Sequence, residues 1–190
     1  RMLCRSAWGA AKRTGSLRRH RIRRITVHHS AVKLTDNRKA PARLRSFQAD
    51  HQSRGWIDIA YHIGIDRRGN IYRLRSPRGA GDTSTDYDPK GHLLVLCDGN
   101  FDAQAPSKAQ VRALVDVLAW ACRKYGVKPR RIKGHRDVAH SSCPGDALYE
   151  KLPRIRRRVR RRLAGGGVAM ERLCGAQGNA RVDAIEAGTD

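Results

Sequence analysis

The run Leu93-Leu94-Val95-Leu96-Cys97 constrains the fold more strongly than any other stretch of the chain. Successive apolar residues, without the alternation of a half-buried strand, are typical of a central strand whose two faces are both buried. Strand and helix patterns alternate through the rest of the chain. This order predicts an α/β domain in which helices flank a central mixed β-sheet.

Apolar residues at helical spacing predict three helices, near 42–53, 107–125 and 146–162. The second is the clearest, because Ser107 and Gln110 have the spacing of a capping box and Gly126 follows the last apolar position. β-branched and apolar content predicts further strands at 25–29, 57–66, 71–74 and just before His135. A glycine-containing turn at 66–70 is expected to join two of them as a hairpin.

The length of 190 residues fits one domain. We expect this domain over 1–163, including a basic N-terminal segment at 1–24 and a cationic helix at 154–163. Residues 164–190 are rich in alanine and glycine, which predicts a disordered tail. No stretch is long and apolar enough to span a membrane, and no signal peptide is visible in this chain.

The formal net charge of +23 calls for anionic partners, such as nucleic acid, acidic lipid or acidic wall polymers. A nucleic-acid binder is disfavoured, because only 5% of the residues are aromatic and no recognition motif is present. Six arginines surround Ile155 and Val159 on the cationic helix, namely Arg156, Arg157, Arg158, Arg160, Arg161 and Arg162. They form either a solvated face or a contact with an anionic envelope surface.

The spacing of the five cysteines gives neither a disulfide framework nor a C-x-x-C pair, so the redox compartment stays open. Cys143 stands apart, because it follows His135 by eight positions on a loop that Pro144-Gly145 ends. A thiolate and an imidazole held in this way are good zinc ligands, although a catalytic zinc needs a third protein ligand. The alternative is a chance histidine and cysteine in one loop.

Several short motifs occur in one order along the chain: Ser6-Ala7-Trp8-Gly9, Val27-His28-His29-Ser30, Asp58-Ile59-Ala60-Tyr61-His62, Gly99-Asn100-Phe101, Gly134-His135-Arg136-Asp137 and Cys143-Pro144-Gly145. Together they resemble the zinc N-acetylmuramoyl-L-alanine amidases, which share a fold with phage lysozyme-type amidases and peptidoglycan recognition proteins. The resemblance extends from about Arg5 to about Val159. Each fragment alone is weak evidence, whereas all of them in the correct order are strong evidence.

The resemblance implies that His28, His135 and Cys143 bind a catalytic Zn²⁺ and that Tyr61 is the catalytic tyrosine. It implies hydrolysis of the amide between N-acetylmuramic acid and L-alanine in peptidoglycan. We expect a monomer that is secreted or lies in the cell envelope, or that is a phage endolysin. His29 points to the opposite strand face from His28, so we expect a structural role for it.

Two departures from the family pattern affect the expected site. Ser141 occupies the position where phage-type relatives have lysine and many recognition proteins have threonine. A serine lacks the positive charge of lysine, but its hydroxyl can donate to an oxyanion or orient a water, so we count it as a second candidate catalytic residue. The polar loop 75–91 has Gly79-Ala80-Gly81-Asp82-Thr83 in place of a Gly-Ala-His-Ala-like segment. It is either a substrate rim or a plain surface loop.

A binding module that recognises peptidoglycan without cleaving it is the main alternative function. Recognition proteins of that kind usually lack the cysteine ligand. The presence of Cys143 together with both histidines and Tyr61 therefore favours the enzyme.

Overall fold

The apolar run forms all but the first residue of an interior strand of the sheet, as the sequence predicts. The computed structural model describes residues 1–190, and its strands are β1 (Met2–Leu3), β2 (Arg24–His29), β3 (Ile63–Ile65), β4 (Ile71–Arg73), β5 (His92–Cys97), β6 (Ile132–Gly134) and β7 (Arg172–Leu173). The α-helices are α1 (Ala40–Ser53), α2 (Lys108–Tyr125), α3 (Asp146–Tyr149), α4 (Leu152–Ala164) and α5 (Gly175–Ala187). Short 3-10 helices lie at Asn37–Lys39, Pro129–Arg131 and His135–Asp137.

One seven-stranded sheet contains all the strands, in the order β6-β2-β5-β3-β4-β1-β7. The β3–β4 pair is antiparallel and is joined by the expected hairpin turn, whereas every other neighbouring pair is parallel. The predicted α/β fold with a central mixed sheet is therefore confirmed. All six residues of β5 are buried, which agrees with a strand covered on both faces.

Alternate residues of β5 belong to two separate hydrophobic cores, because successive side chains of a strand point to opposite faces. Leu93, Val95 and Cys97 lie in the larger core, with α2 and α4. Leu96 lies in the smaller core on the other face, which includes apolar residues of α1 and α5. Trp8 is fully buried in this second core, and its indole Nε1 donates to the Arg73 carbonyl at 2.9 Å.

Half of the predicted capping box of α2 is present. Ser107 Oγ accepts from the Gln110 backbone N–H at 2.9 Å, as expected. The Gln110 side chain does not return to the start of the helix. It is fully buried and donates to the carbonyls of Ile65 and Asp98, at the ends of β3 and β5. A buried amide must satisfy its own donors, and here the sheet provides the acceptors.

The strand predicted at 57–66 is wrong in length, since only Ile63–Ile65 forms β3. In the residues before Ile63, hydrogen bonds with side chains of α1 take the place of hydrogen bonds to a neighbouring strand. Gln48 Nε2 donates to Asp58 Oδ1 at 2.6 Å, and the Ala60 N–H donates to His51 Nδ1 at 3.0 Å. The predicted helix at 146–162 is two helices, α3 and α4, with Pro153 in the first turn of α4.

The expectation of a disordered tail over 164–190 is wrong. β7 pairs with β1, and α5 packs beside α1 with Val182 and Ile185 buried. Gly178 allows close packing, because a Cβ there would lie 2.9 Å from the Ala7 Cβ. Few apolar residues anchor this segment, and their partners near Trp8 are more than 160 positions away in sequence. Seen locally, the composition resembles that of a disordered segment, because the contacts that order it lie at the other end of the chain.

A disulfide joins Cys4 to Cys174, beside β1 and β7, and thereby links the N-terminal segment to α5. The sequence left this pairing open, because the two residues are separated by 170 positions. Cys97, Cys122 and Cys143 are free thiols. None of the helices combines the length and the apolar character needed to cross a membrane.

Candidate metal centre

Two adjacent parallel strands bring His28 and His135 to the same edge of the sheet. β2 pairs with β6 in a register that places Val27 opposite Gly134. A histidine directly follows each of these two residues, so the two imidazoles lie side by side with their ring centroids 4.6 Å apart. Both side chains are buried. The pairing of the two strands, which are more than 100 residues apart in sequence, thus forms half of the site.

The loop after β6 returns Cys143 to these histidines. The Arg136 N–H donates to the Cys143 carbonyl at 2.8 Å, which closes the loop. The Cys143 Sγ accepts from the His29 backbone N–H at 3.4 Å. Gly145 then turns the chain with a φ of 82°, and a Cβ at this position would lie 2.6 Å from the Phe101 carbonyl carbon. Glycine is required there for both reasons.

Ligand atoms of His28, His135 and Cys143 lie within 4.8 Å of one another. Cys143 Sγ and His28 Nδ1 are 3.7 Å apart. Tetrahedral zinc, with bonds of about 2.3 Å to sulfur and about 2.1 Å to nitrogen, would separate two such ligands by about 3.6 Å. His28 Nε2 is buried without a hydrogen-bond partner. The donor types and their spacing fit a zinc ion bound through His28 Nδ1.

Burial sets the protonation of the three candidate ligands. It lowers the pKa of His28 well below its ordinary value, and the neighbouring His135 lowers it further. Burial also lowers the pKa of His135. Both imidazoles therefore carry a free lone pair at neutral pH. Burial raises the pKa of the Cys143 thiol to about 12, so a metal ion that binds there must displace a proton.

Tyr61 lies beside the histidines, with its ring centroid 5.2 Å from that of His28. It lines a cavity of about 220 Å³ together with His28, His135, His51 and Trp56. Burial raises the pKa of the Tyr61 hydroxyl above its ordinary value, and the neighbouring Cys143 adds to this effect. The hydroxyl is therefore a neutral hydrogen-bond donor at physiological pH.

Ser141 is half-buried in the ligand loop. Its Oγ accepts from the Cys143 backbone N–H at 3.1 Å, which leaves its O–H free to donate elsewhere. His29, which we expect to be structural, and the buried His62 both form hydrogen bonds with the backbone. His29 Nδ1 accepts from the Phe101 N–H at 3.2 Å, and His62 bonds Gly79 and Leu94 through its two ring nitrogens.

Sequence reasoning assigned no role to two residues of the loop 75–91 that contact His135. Thr85 Oγ1 and His135 Nε2 are 2.8 Å apart. The Tyr87 ring packs against the His135 ring with centroids 5.2 Å apart. The polar, threonine-containing composition of this loop was the only signal, and composition does not indicate which side chain faces the site.

Fold and donor set together define an α/β domain with a His₂Cys candidate metal centre at one edge of a mixed sheet. The family model described as N-acetylmuramoyl-L-alanine amidase matches residues 18–146, so the chain belongs to this family. The resemblance drawn from the motifs is thereby confirmed. The matched residues include His28, Tyr61, His135, Ser141 and Cys143.

The chain is similar to both enzymes and recognition proteins. It is 32% identical over 171 residues to the N-acetylmuramoyl-L-alanine amidase of Sus scrofa, covering 84% of this chain and 28% of that protein. It is 30% identical to peptidoglycan recognition protein 1 of Mus musculus, covering 78% of this chain and 84% of that protein. The crystallised peptidoglycan recognition protein-LE, in complex with tracheal cytotoxin, a monomeric diaminopimelic acid-type peptidoglycan, superposes with a TM-score of 0.72 at 25% identity, over 80% of this chain and 92% of that one. The chain thus spans little more than a quarter of the length of the pig amidase.

Proposed function

We propose that this chain is a zinc-dependent N-acetylmuramoyl-L-alanine amidase. It would hydrolyse the amide between N-acetylmuramic acid and the L-alanine of the stem peptide. The observation that carries the proposal is the convergence of His28, His135 and Cys143 within 4.8 Å, beside a cavity that Tyr61 lines. Three protein ligands leave a fourth position of a tetrahedral zinc for water, as a catalytic site requires.

A bound zinc would supply a nucleophilic water at neutral pH and polarise the scissile carbonyl. Tyr61 would donate its neutral hydroxyl to the oxygen on which negative charge develops. One such donor is worth about 2.7–4 kcal/mol in the transition state. Ser141 would use its free O–H in the same region, either toward the oxyanion or toward the attacking water.

Peptidoglycan is the proposed substrate. Membership of the amidase family supports it, and so does the complex of peptidoglycan recognition protein-LE with a peptidoglycan fragment. The remaining alternative is a recognition module that binds peptidoglycan without cleaving it. The three candidate ligands favour the enzyme, because a module that only binds has no need for a metal site with an open position.

A single assay separates these two functions. Purified wall is incubated with the zinc-loaded chain, with the chain after chelator treatment, and with Cys143→Ser. The amidase is expected to release stem peptides with a free L-alanine amino group, and only the zinc-loaded parent should do so. Binding to the wall without new amino groups would instead establish the recognition module.

An anionic envelope surface is the second proposed partner, and a basic groove on the molecule supports it. Between α2 and α4 lie two adjoining concavities of about 460 Å³ and about 590 Å³, which share Arg112 and Arg158. We call them together the arginine groove. Its charged lining is Lys108, Arg112, Asp116, Lys151, Arg154, Arg158, Arg161 and Arg162. The only acid, Asp116, forms an ion pair with Arg162 at 2.9 Å.

The arginine groove suits an anionic envelope polymer better than single-stranded nucleic acid. No aromatic side chain lines it, so bases would have nothing to stack on. It lies on the α2 and α4 face of the sheet, whereas the catalytic cavity is lined from the α1 side. Arg156 has a different role from its neighbours, since it donates to the Ile132 carbonyl at 3.1 Å. The groove would hold the enzyme at the envelope without occupying its cleavage site.

We also propose that the protein acts outside a reducing cytosol, as a secreted protein, an envelope protein or an endolysin. The Cys4–Cys174 disulfide supports this location, because such bonds persist in oxidising compartments. We propose a monomer, because the ligands and Tyr61 all come from one chain and the site needs no second copy to complete it.

A further inference from the structure

Three consecutive residues of the loop 75–91 contact the His135–Cys143 segment, each in a different way. Thr85 Oγ1 lies 2.8 Å from His135 Nε2. Asp86 Oδ1 accepts from the His140 backbone N–H at 3.0 Å. The Tyr87 ring packs against the His135 ring. Thr85 and Tyr87 thus hold the His135 imidazole directly, and Asp86 anchors the loop that leads from His135 to Cys143.

The polar contact of His135 continues to a second hydroxyl. Thr83 Oγ1 lies 2.7 Å from Thr85 Oγ1 and also accepts from the Thr85 backbone N–H at 3.1 Å. A hydroxyl donates only one hydrogen bond, so this chain of contacts can run in one of two directions. In one direction, His135 Nε2–H donates to Thr85, and Thr85 donates to Thr83. In the other, both hydroxyls donate toward the ring and the proton of His135 is on Nδ1.

The two directions have opposite consequences for a metal ion. A proton on Nδ1 would remove the lone pair from the nitrogen that Thr85 leaves free. A proton on Nε2 leaves the Nδ1 lone pair available for coordination. A metal-binding histidine usually donates its other N–H to an oxygen acceptor, which fixes its tautomer and its orientation.

We propose that Thr85 is a positioning residue of the metal centre, whose hydroxyl oxygen accepts the Nε2–H of His135 and so presents Nδ1 to zinc. Thr83 supports it by accepting the proton of Thr85. This inference rests on the proposed function in one respect, namely that His135 is a metal ligand. It goes beyond that function by assigning the ligating nitrogen and the residue that selects it.

The test measures zinc affinity by competition with a chromophoric chelator, in the parent and in four variants. Thr85→Val removes the hydroxyl at nearly constant volume and is expected to weaken zinc binding about 10–100-fold, the usual cost of losing such an outer partner. Thr85→Ser restores the hydroxyl and should bind zinc within about threefold of the parent. Thr83→Val should have a smaller effect than Thr85→Val. Thr35→Val, at an exposed position, is the matched control and should leave the affinity unchanged.

Two further measurements separate a positioning role from general destabilisation. The thermal midpoint of zinc-free Thr85→Val should equal that of the zinc-free parent, since the hydroxyl acts on the ligand. Nitrogen-15 NMR of the zinc-loaded parent needs no variant and should show the His135 proton on Nε2. A proton on Nδ1, an unchanged affinity in Thr85→Val, or a Thr85→Ser affinity as weak as that of Thr85→Val would each overturn the proposal.

The same titrations distinguish this inference from the proposed function. If the parent binds zinc, and Cys143→Ser abolishes binding while Thr85→Val does not weaken it, the metal centre stands and only the role of Thr85 is lost. If the parent binds no zinc, both proposals fail together.

Discussion

The candidate metal centre of His28, His135 and Cys143, which we call the metal edge, and the arginine groove are built in opposite ways. At the edge, a few buried side chains converge, and each has a role that its neighbours cannot supply. In the groove, seven cationic side chains surround one acid, and Arg112, Arg158 and Arg161 have no acidic partner. Buried ligands act as a unit, whereas exposed charges contribute small and screened increments. Single substitutions should therefore have large effects at the edge and small effects in the groove.

The largest effect is expected from Cys143→Ser. A neutral hydroxyl replaces a thiolate ligand, so the variant should lose most of its bound zinc. Its turnover on wall should fall by more than the roughly 10²–10³-fold that one oxyanion donor is worth, because the activated water is lost as well. Metal content by atomic emission and release of free L-alanine amino groups provide the two measurements.

Cys122→Ser is the matched control for that substitution. Cys122 is buried in the larger core on α2, so its replacement should lower thermal stability while the zinc stoichiometry stays at that of the parent. Full zinc retention by Cys143→Ser would remove the cysteine from the ligand set, and the contrast between edge and groove would lose its main support.

Tyr61→Phe is expected to have the next largest effect. It removes one donor and leaves the ring that contacts His28 in place. Turnover should fall by roughly 10²–10³-fold, while zinc content and the thermal midpoint remain those of the parent. Tyr125→Phe, on α2 and away from the cavity, should change none of the three quantities. Unchanged turnover in Tyr61→Phe would make Tyr61 a packing residue of the cavity wall.

The sequence was sufficient for the parts of this comparison that depend on local patterns. The apolar run of β5, the amphipathic spacing of α2 and the ordered motifs containing His28, His135 and Cys143 predicted the sheet, its main helix and the residues that the structure brings together. The two histidines could be related because His28 lies at the end of one strand and His135 directly follows another, so both can project from one edge of a sheet. The parallel pairing of β2 with β6 and its register, with Val27 opposite Gly134, required the structure.

What the sequence could not provide depends on partners that are distant along the chain. Thr85 and His135 are 50 positions apart, and nothing in the polar loop distinguishes Thr85 from its neighbours before the loop is folded. Cys4 and Cys174 pair only because β1 and β7 become adjacent strands. The order of α5 depends on a few apolar contacts with the other end of the chain. In each case a tertiary contact determines the outcome, and the local composition is neutral or misleading.

An effect of intermediate size is expected from acid, which should lower the stability of the folded protein through the buried His62. Burial lowers the pKa of His62 to about 3, against an ordinary value of 6.5. The folded state thus binds fewer protons than the unfolded state between these two values. The stability contribution of the neutral imidazole is complete above about pH 6.5 and declines as the pH falls toward 3.

Chemical denaturation of the zinc-free protein checks this expectation. Between pH 8 and pH 4.5, His62 alone should lower the free energy of unfolding by about 2–3 kcal/mol. Comparison of His62→Gln with His140→Gln, whose ring is exposed, isolates this contribution. The slope of stability against pH should become shallower in the first variant and stay unchanged in the second. Equal slopes in all three proteins would show that the pKa of His62 is not lowered by burial in the folded state.

The smallest effect per residue is expected in the arginine groove, and salt makes it measurable. Replacement of Arg112, Arg158 and Arg161 by glutamine removes three of the six groove charges that no acid balances. At about 0.5 kcal/mol for each exposed charge, binding to intact envelopes should weaken about tenfold at low salt. The difference should disappear near 1 M salt, where the Debye length is about 3 Å.

Glutamine at Arg13, Arg19 and Arg21 changes the net charge equally at exposed positions outside the groove, and should weaken binding much less. Cleavage of small soluble muropeptides should be unchanged in both triple variants, because the cavity lies on the other face of the sheet. Equal weakening in the two variants would mean that net charge alone attracts the envelope. The groove would then be a solvated surface, and its arginines would be interchangeable with any others on the molecule.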